Sequence, residues 1–482
     1  MRNVARASSP QSTILSCLLL LLFAGIVLSQ TTYKDLKYPP LNPVRVPPVK
    51  RVVLPNGIIL YLIEDHELPL IQLSARIGVT SIDDPPGKIG LAAITGAVMR
   101  TGGTVTKSGD QIDEELESIA ASVETGIGLN AGSASMSVLK ENFDTGLGIL
   151  ADILMHPAFP QEKIDLQKIQ QRTLIARRND NVNSMAVREF GKLIYGKGSV
   201  YARYPEFTTI DAITREDLAA FHKKYFHPNN TMIGLWGDFK TDEMVKKMEQ
   251  PFRNWRKVPF TRTAKPSVDY QYDSSVNFIR KEDVNQSTIL IGHIGGLMKN
   301  PDYFALQVMN DILSGGFSSR LFRNVRTRQG LAYAVFGAYS ANFDYPGLFY
   351  LGTITKSQTT VKAIRSLMDE LQQMTREQVT DEELNLAKES YLNSFVFNYD
   401  SRAEVLNRLM TYEYYGYPKD FLEKTRENIE MVTKADVLRV AGKYLPPDQV
   451  RILVVGRDQD FDEPLSVLGK VNEINITIPP PK

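Results

Sequence analysis

Histidine and cysteine side chains are the strongest metal ligands in proteins, and this chain of 482 residues has few of either. It contains five histidines and one cysteine, and the histidines are His66, His156, His222, His227 and His293. No two histidines lie three or four residues apart, the spacing that places two ligands on one helical face. His222 and His227 are five apart, around the predicted end of a helix. We therefore predict that the chain binds no zinc.

The segment 90–104, GLAAITGAVMRTGGT, has the apolar spacing of a helix but carries a bare stripe. Ala93, Gly96 and Ala97 stand at positions i, i+3 and i+4, where functional side chains of a helix would meet on one face. Glycine in a helix interior costs about 1 kcal/mol relative to alanine. The missing side chains therefore require an explanation.

An internal repeat organises the elements that would position any site. Residues 210–238 align without a gap on residues 429–457, so that Thr214 falls on Thr433, 219 positions later (433 minus 214). The Thr-x-x-Asp in each copy resembles a capping box that begins a helix, and an apolar strand follows each predicted helix. A repeat period of some 200 residues is too long for a solenoid and predicts two similar domains.

Strands grouped with long helices, rather than strictly alternating with them, predict an α+β fold. We expect two similar domains, each a mostly antiparallel sheet with helices packed on one face. The predicted divisions are a signal peptide at 1–29, a proline-rich extended segment at 30–50, a first domain at 51–255, a linker at 256–272, a second domain at 273–460 and a tail at 461–482.

The composition excludes some partners. A formal net charge of +1 gives no electrostatic basis for binding nucleic acid, and 43% hydrophobic residues are typical of a globular protein. Near the amino terminus, Arg2 and Arg6 precede the apolar run ILSCLLLLLFAGIVL, and Val27 and Ser29 fit a cleavage site. We expect export to the periplasm, whereas an uncleaved segment would act as a membrane anchor.

The only cysteine, Cys17, lies inside this amino-terminal apolar run. Cleavage of a signal peptide would remove it. The mature chain would then have neither a disulfide nor a thiolate metal site, and packing alone would hold it together.

The stretch 86–104 resembles the metal-binding helix of the M16 metallopeptidases, the family of pitrilysin, insulinase and mitochondrial processing peptidase. In that family the text after PPGKxGLA continues with H-x-x-E-H, two zinc-binding histidines and a glutamate that activates water. The bare stripe occupies these three positions. The third family ligand, a glutamate on a later helix, falls on Thr173 or Leu174. The resemblance implies that every zinc-site group is absent.

A second segment, residues 311–339, resembles the family's C-terminal-domain sequence in which an arginine and a tyrosine seven residues apart reach the active site of the other half. These residues map to Arg326 and Tyr333. Their guanidinium and phenol groups can donate hydrogen bonds to a substrate carbonyl and stabilise an oxyanion. The alternative is structural, with Arg326 paired to a carboxylate and Tyr333 packed in the core.

The resemblance covers roughly residues 45–460 and implies one half of a clamshell that encloses a chamber for unfolded peptides. It implies a non-catalytic subunit of a heterodimeric M16 peptidase, with zinc in a homologous partner subunit and no cofactor in this chain. Such a chain would be inactive alone and would supply Arg326 and Tyr333 to the partner's site. Two alternatives are a non-enzymatic extracytoplasmic peptide-binding or scaffold protein, and an active peptidase with a relocated metal.

Overall fold

The computed structural model describes residues 47–262, 264–270 and 272–480. The predicted signal peptide at 1–29 and most of the proline-rich segment at 30–50 lie outside the described residues. Within the described part of the chain, no helix has both the length and the apolar character needed to cross a membrane.

The described residues form thirteen strands, fourteen α-helices and one π-helical segment, besides short 3-10 turns. The strands are β1 Lys50–Val53, β2 Ile59–Glu64, β3 Leu70–Ile77, β4 Ser122–Ile127, β5 Gly132–Leu139, β6 Thr231–Gly237, β7 Ser275–Arg280, β8 Gln286–Ile294, β9 Gly296–Leu297, β10 Ala332–Asn342, β11 Pro346–Lys356, β12 Arg451–Gly456 and β13 Val471–Glu473. The helices are α1 Leu91–Thr101, α2 Gly109–Ser118, α3 Phe143–Met155, α4 Gln161–Ala176, α5 Val182–Tyr195, α6 Phe207–Asp211, α7 Arg215–Tyr225, α8 Thr241–Phe252, α9 Tyr303–Ser314, α10 Thr360–Arg376, α11 Asp381–Ser394, α12 Arg402–Tyr415, α13 Phe421–Met431 and α14 Lys434–Tyr444, and the π-helical segment is Phe322–Arg328.

The strands form two sheets with the same scheme. Sheet one has the order β1-β2-β6-β3-β5-β4, and sheet two has the order β13-β7-β12-β8-β11-β10-β9. Sheet one is antiparallel except for the β2–β6 pair. Sheet two is mixed, because β7 pairs in parallel with both β12 and β13 and β9 pairs in parallel with β10. The α+β class is confirmed, although the second sheet has more parallel pairs than we predicted.

Each sheet buries one face under helices from its own half of the chain. Strand β3 shows the strict alternation of a half-buried strand, with Leu73 and Ile77 among the residues facing the first core. Helix α3 packs against the same core through Phe143 and Leu150, and it ends at Met155, two residues before Pro157. The second core is built in the same way from strands of sheet two and helices α9, α10 and α14.

The two capping boxes are confirmed. The Thr214 side chain accepts a hydrogen bond from the Asp217 backbone N–H at 3.4 Å, and Thr433 accepts one from Asp436 at 3.1 Å. In both copies the carboxylate also accepts the backbone N–H of the threonine. These reciprocal bonds satisfy N–H groups that a helix start leaves without partners and so fix where α7 and α14 begin.

Helix α5 covers the sheet of the other half of the chain. Met185 and Phe190 of this helix are fully buried in a small core with Leu290 and Leu453, which belong to β8 and β12 of sheet two. The sequence shows that α5 is amphipathic, but its apolar face lies on a sheet that begins about eighty residues further along the chain.

Helix α12 makes the reciprocal contact with sheet one, and it begins 220 residues after α5 (402 minus 182). A Cβ atom on Gly234 of β6 would lie 3.2 Å from both Leu406 Cβ and Met410 Cε, so this glycine allows the helix to approach the sheet closely. At the end of the helix, Glu413 accepts two hydrogen bonds from Arg51, at 2.7 and 2.6 Å. Each half therefore covers the outer face of the other.

Residues 461–480, predicted as a tail, are packed in the structure. Strand β13 extends sheet two beside β7. Further on, the Asn179 amide donates to the Ile476 carbonyl at 2.8 Å, and Ile478 packs against the first core.

We predict that Gly234→Val lowers the free energy of unfolding by about 1–3 kcal/mol, the usual cost of overpacking, because the new side chain displaces α12 from sheet one. Chemical denaturation followed by circular dichroism measures the change. The matched control is Gly148→Ala in α3, where an added Cβ meets nothing within 4 Å, so the helix should gain up to about 1 kcal/mol. Equal stability of Gly234→Val and the unmodified chain would contradict the close contact.

Candidate functional site

A buried aspartate caps α1, the helix that carries the bare stripe. Asp84 accepts the backbone N–H of Gly90 at 2.8 Å and that of Ala92 at 2.7 Å. Burial raises the pKa of Asp84 to about 6, although the two N–H groups act in the opposite direction. Gly90 has a φ of +108°, a conformation that favours glycine, and a Cβ there would lie 2.5 Å from Ile210. The start of α1 is thus fixed by its surroundings.

The bare stripe of α1 lies against the edge strand β4 at Gly96. A Cβ atom at Gly96 would lie 2.5 Å from the Ile127 backbone nitrogen and 2.8 Å from the Gly126 carbonyl carbon. The Thr125 hydroxyl donates to the Gly96 carbonyl at 2.7 Å, and one turn later Arg100 donates to the Val123 carbonyl at 2.6 Å. Glycine is therefore required for the helix to pack on the strand, and a glutamate there would force β4 to move.

The other positions at which the resemblance places zinc ligands also carry no side chain that suits zinc. Ala93 and Ala97 are half-buried methyl groups on α1. Helix α4, which packs against α1, carries Thr173 and Leu174. The Thr173 hydroxyl donates to the Ile169 carbonyl of its own helix at 2.9 Å, and Leu174 is 64% exposed. These residues do not fit a zinc ion, since none offers an imidazole, a thiolate or a carboxylate.

The histidines are engaged separately. Each ring contacts a neighbouring polar group: His66 contacts Asp238, His156 contacts Asp152, His222 contacts the Leu154 carbonyl, His227 contacts the Lys224 carbonyl and His293 contacts the Ile294 carbonyl. Burial lowers the pKa of His222 and of His293 to about 4, so both are neutral at physiological pH. Across residues 47–262, 264–270 and 272–480, no three His, Cys, Asp or Glu side chains are grouped so that they could hold a metal ion.

Arg326 lies in the π-helical segment Phe322–Arg328 and is exposed. Its guanidinium carbon lies 4.6 Å from the centre of the Phe322 ring, a cation–π distance. Within the described ranges, no carboxylate lies within ion-pairing distance of Arg326. Its charge is therefore free to meet a group from outside the chain. π-Helical turns are rare and frequently found at functional sites.

Tyr333 stands at a β-bulge. Along the β10–β11 pair, Ala332 faces Thr355 and Ala334 faces Ile354, so Tyr333 is the extra residue between two paired positions. Its side chain is 76% exposed. Bulges redirect side chains and are common beside active sites. Because the π-helical segment packs against β10, Tyr333 and Arg326 lie on adjoining elements.

Polar contacts hold the π-helical segment from below. The Asn324 amide donates to Glu370 of α10 at 2.7 Å. Arg320, just before the segment, makes two hydrogen bonds to Glu383 of α11, at 2.8 and 2.9 Å. Burial alone would raise the pKa of Glu383, but the bonds from Arg320 and from the Thr380 backbone lower it to about 2. The carboxylate is thus held in its charged form.

The sequence gives only partial signals for the roles of these supporting residues. The i, i+4 spacing of Phe322 and Arg326 is a signal for their contact, because such pairs meet on a helical surface. The Asp84 cap carries a weaker signal, since it lies seven residues before the helix it caps. Glu383 resembles any exposed capping-box residue of α11 until Arg320 is brought to it.

Comparison with known proteins shows similarity to one family over most of the chain. Residues 212–391 match the family model described as "Peptidase M16 inactive domain", and these residues include Arg326 and Tyr333. An "uncharacterized zinc protease" of Rickettsia felis is 28% identical over 366 residues, 74% of this chain and 80% of the relative. A "non-peptidase homolog YmxG" of Helicobacter pylori is 24% identical, over 87% of this chain and 93% of the relative.

A crystal structure supports the same fold. The peptidase M16 inactive domain from Pseudomonas fluorescens superposes with a TM-score of 0.76 at 24% sequence identity, over 85% of this chain and 98% of that one. The chain is therefore similar to M16 peptidases over most of its length, and the resemblance found in its sequence is confirmed. Residues 212–391 are similar to the M16 inactive domain, and the chain is related to proteins described as zinc proteases, but its sequence has no H-x-x-E-H motif.

We predict that Gly96→Ala lowers the free energy of unfolding by about 1–3 kcal/mol, because the methyl group overlaps the β4 backbone. The sign is informative, since alanine stabilises an unhindered helix by about 1 kcal/mol. Gly191→Ala in α5 is the control, as an added Cβ there meets nothing within 4 Å. Urea titrations of both variants measure the change, and a stabilising Gly96→Ala would show that the strand does not confine the helix.

We predict a specific acid sensitivity from Glu383. Its pKa is lower in the folded chain than its ordinary value of 4.5, so its contribution to stability is present above about pH 4.5 and is lost as the pH falls towards 2. Glu383→Gln should cost about 1.5–3 kcal/mol at neutral pH, the range for hydrogen bonds to charged groups. Between about pH 5 and pH 3, the unmodified chain should lose more stability than this variant in urea titrations. Parallel pH dependence in the two proteins would refute the prediction.

Proposed function

We propose that this chain is the non-catalytic, zinc-free subunit of a heterodimeric M16 peptidase. In this proposal it closes the peptide chamber with a homologous zinc-bearing subunit and supplies Arg326 and Tyr333 to that subunit's zinc site. The observation that carries the proposal is the contrast between the two sites. The zinc-ligand positions hold no donor that suits zinc, while Arg326 and Tyr333 are both exposed and both lie on backbone irregularities.

The proposed division of labour is chemically separable. Activation of water by a metal needs ligands and a base on one side of the peptide, and these belong to the partner in this proposal. Arg326 would donate from its guanidinium, and Tyr333 from its phenol, to the substrate carbonyl and to the oxyanion that forms from it. Since Arg326 rests on an aromatic ring rather than on a carboxylate, its charge is not neutralised before substrate arrives.

A second candidate function is a non-enzymatic peptide-binding or scaffold protein. It is favoured by the name of the Helicobacter pylori relative, which is described as a non-peptidase homologue. In this alternative Arg326 and Tyr333 contact a bound partner without any reaction. For both functions we propose a location outside the cytoplasm, in keeping with the basic residues and apolar run near the amino terminus.

We predict that Arg326→Ala and Tyr333→Phe each reduce peptide turnover about 10²-fold, the usual effect of removing one oxyanion donor. The assay combines the purified chain with a zinc-bearing M16 homologue from the same source and follows cleavage of a quenched fluorescent peptide. Because the loss concerns the transition state, kcat should fall more than KM rises.

Arg328→Ala is the matched control for this assay. Arg328 is also an exposed arginine of the π-helical segment, but its guanidinium is bound to the Asn324 side chain at 3.1 Å. This variant should cleave at the rate of the unmodified pair. Unchanged turnover in both Arg326→Ala and Tyr333→Phe would reject the enzymatic role and leave the scaffold function.

A further inference from the structure

A surface of unpaired cations lies at one end of the first half of the chain. The segment 250–268, which follows α8, contains basic residues but no Asp or Glu. Five exposed basic residues, here called the basic surface, belong to this segment and to the last turn of α7; they are Lys223, Lys224, Arg253, Arg256 and Lys257.

Direct contacts hold the two parts of the basic surface side by side. The Asn229 amide donates to the Val258 carbonyl at 2.9 Å, and the Val258 N–H donates to the Asn229 side-chain oxygen at 3.3 Å. The ring centre of Phe260 lies 6.4 Å from that of Tyr225, the last residue of α7. The end of α7 and the basic segment therefore form one continuous surface.

The charges of the basic surface are not neutralised within the chain. Among the residues that the structure describes, no carboxylate lies within ion-pairing distance of any of the five. Two later cations of the same segment differ, because Arg262 donates to a backbone carbonyl of α12 at 2.8 Å and Lys265 pairs with Asp344 at 2.8 Å. Glu249 lies one turn before Arg253 but does not pair with it.

The internal repeat shows that the fold does not need free cations at the end of α7. Lys223 and Lys224 correspond to Gly442 and Lys443 of α14, 219 positions later (442 minus 223). Gly442 has no side chain, and the Lys443 ammonium is bound to Asp302 at 3.0 Å. The equivalent helix end thus forms without a free charge, and the charges at the end of α7 are a local feature.

Exposed apolar residues accompany the cations. The turn between β1 and β2 is fixed to the basic segment, because the Asn56 amide donates to the Phe252 carbonyl at 2.9 Å. Beside this turn Val53 is 52% exposed, and Pro55 and Pro259 are also exposed. Apolar groups among cations suit the surface of a lipid bilayer, where cations meet anionic head groups and apolar groups enter the layer beneath them.

The distribution of charge favours a membrane over a nucleic acid as the partner. The formal net charge of the chain is only +1, so the chain as a whole gives little long-range attraction to a polyanion. A nucleic acid has no apolar layer behind its phosphates, and the exposed Val53 would gain nothing from it. A membrane that contains anionic lipids attracts a local cluster of Lys and Arg, by about fivefold in affinity for each cation near its surface.

We infer that the basic surface docks the chain on a lipid membrane that contains anionic head groups. The inference goes beyond the proposed function, because it involves neither the zinc-ligand positions nor Arg326 and Tyr333. Docking in this way would turn the end of sheet one that carries the β1–β2 turn towards the membrane.

The test measures binding of the purified full chain to lipid vesicles by sedimentation. Vesicles of phosphatidylcholine mixed with phosphatidylglycerol should bind the chain more tightly than vesicles of phosphatidylcholine alone. Raising the salt from about 0.1 M to about 1 M shortens the screening length from about 10 Å to about 3 Å and should remove the difference. An amino-terminal apolar run would contribute equally to both kinds of vesicle.

The triple variant Lys224→Gln/Arg256→Gln/Lys257→Gln removes three of the five cations. Its affinity for the phosphatidylglycerol vesicles should fall about 10²-fold, because each cation contributes about fivefold. Since the three side chains are exposed and unpaired, the melting temperature should not change.

The matched control is Lys197→Gln/Lys419→Gln/Lys470→Gln. These lysines are also exposed, and none has an ion pair within the described ranges, but they lie outside the basic surface. The control loses the same net charge and should bind the vesicles as the unmodified chain does.

Equal binding to the two kinds of vesicle would overturn the inference, and so would an equal loss in the two triple variants, which would reflect net charge alone. Tighter binding of a short DNA duplex than of the anionic vesicles, at the same phosphate concentration, would contradict the choice of a membrane. Peptide cleavage with a zinc-bearing partner in solution should be unchanged in both triple variants. A failure here is therefore separate from a failure of Arg326→Ala to reduce turnover.

Discussion

The close contact between Gly96 and strand β4 is the constraint on which the account of this protein depends. Helix α1 packs on β4 with only a hydrogen atom at Gly96, where the family resemblance places a catalytic glutamate, and an added Cβ would lie 2.5 Å from the backbone. Hydrogen bonds from Thr125 and Arg100 hold the two elements at this distance. Gly96 is thus part of the packing between α1 and β4. Restoring the ligands alone would not restore a site.

The second candidate site, with Arg326 and Tyr333, differs from the first because both side chains are exposed. Arg326 and Tyr333 lie where the backbone departs from regular geometry, and neither is used by the core. Beneath them, Glu370 and Glu383 fix the segment through side-chain hydrogen bonds. A rigid support below exposed polar groups is the arrangement needed to present donors to a ligand at fixed positions. In the proposed function, α1 carries no zinc ligands, whereas the second half of the chain presents Arg326 and Tyr333 as donors.

The sequence alone was sufficient to predict the local elements and the internal repeat. Thr214 and Thr433 begin their helices as predicted, because a capping box depends only on residues within one turn. The spacing of α5 also predicts an amphipathic helix, but it cannot tell which sheet the apolar face meets, since any apolar surface of the right shape satisfies it. The exchange of α5 and α12 between the two sheets is decided by long-range packing, and the same holds for strand β13.

For the candidate site, the sequence showed that the bare stripe lacks ligands. It did not show that the stripe contacts β4. Helix α1 and strand β4 contact each other across about thirty residues of sequence, and the spacing of residues within α1 cannot predict such a contact. The π-helical turn and the bulge at Tyr333 are equally hidden, because both depend on how neighbouring segments pair.

The most direct test of the central claim is a measurement of zinc binding by the purified chain, by titration calorimetry together with metal analysis after dialysis. With Ala93, Gly96 and Ala97 on one face of α1 and Thr173 and Leu174 beside it, we expect no bound zinc at micromolar metal and no peptide hydrolysis by the chain alone. One equivalent of tightly bound zinc that supports cleavage in the absence of any partner would contradict the account.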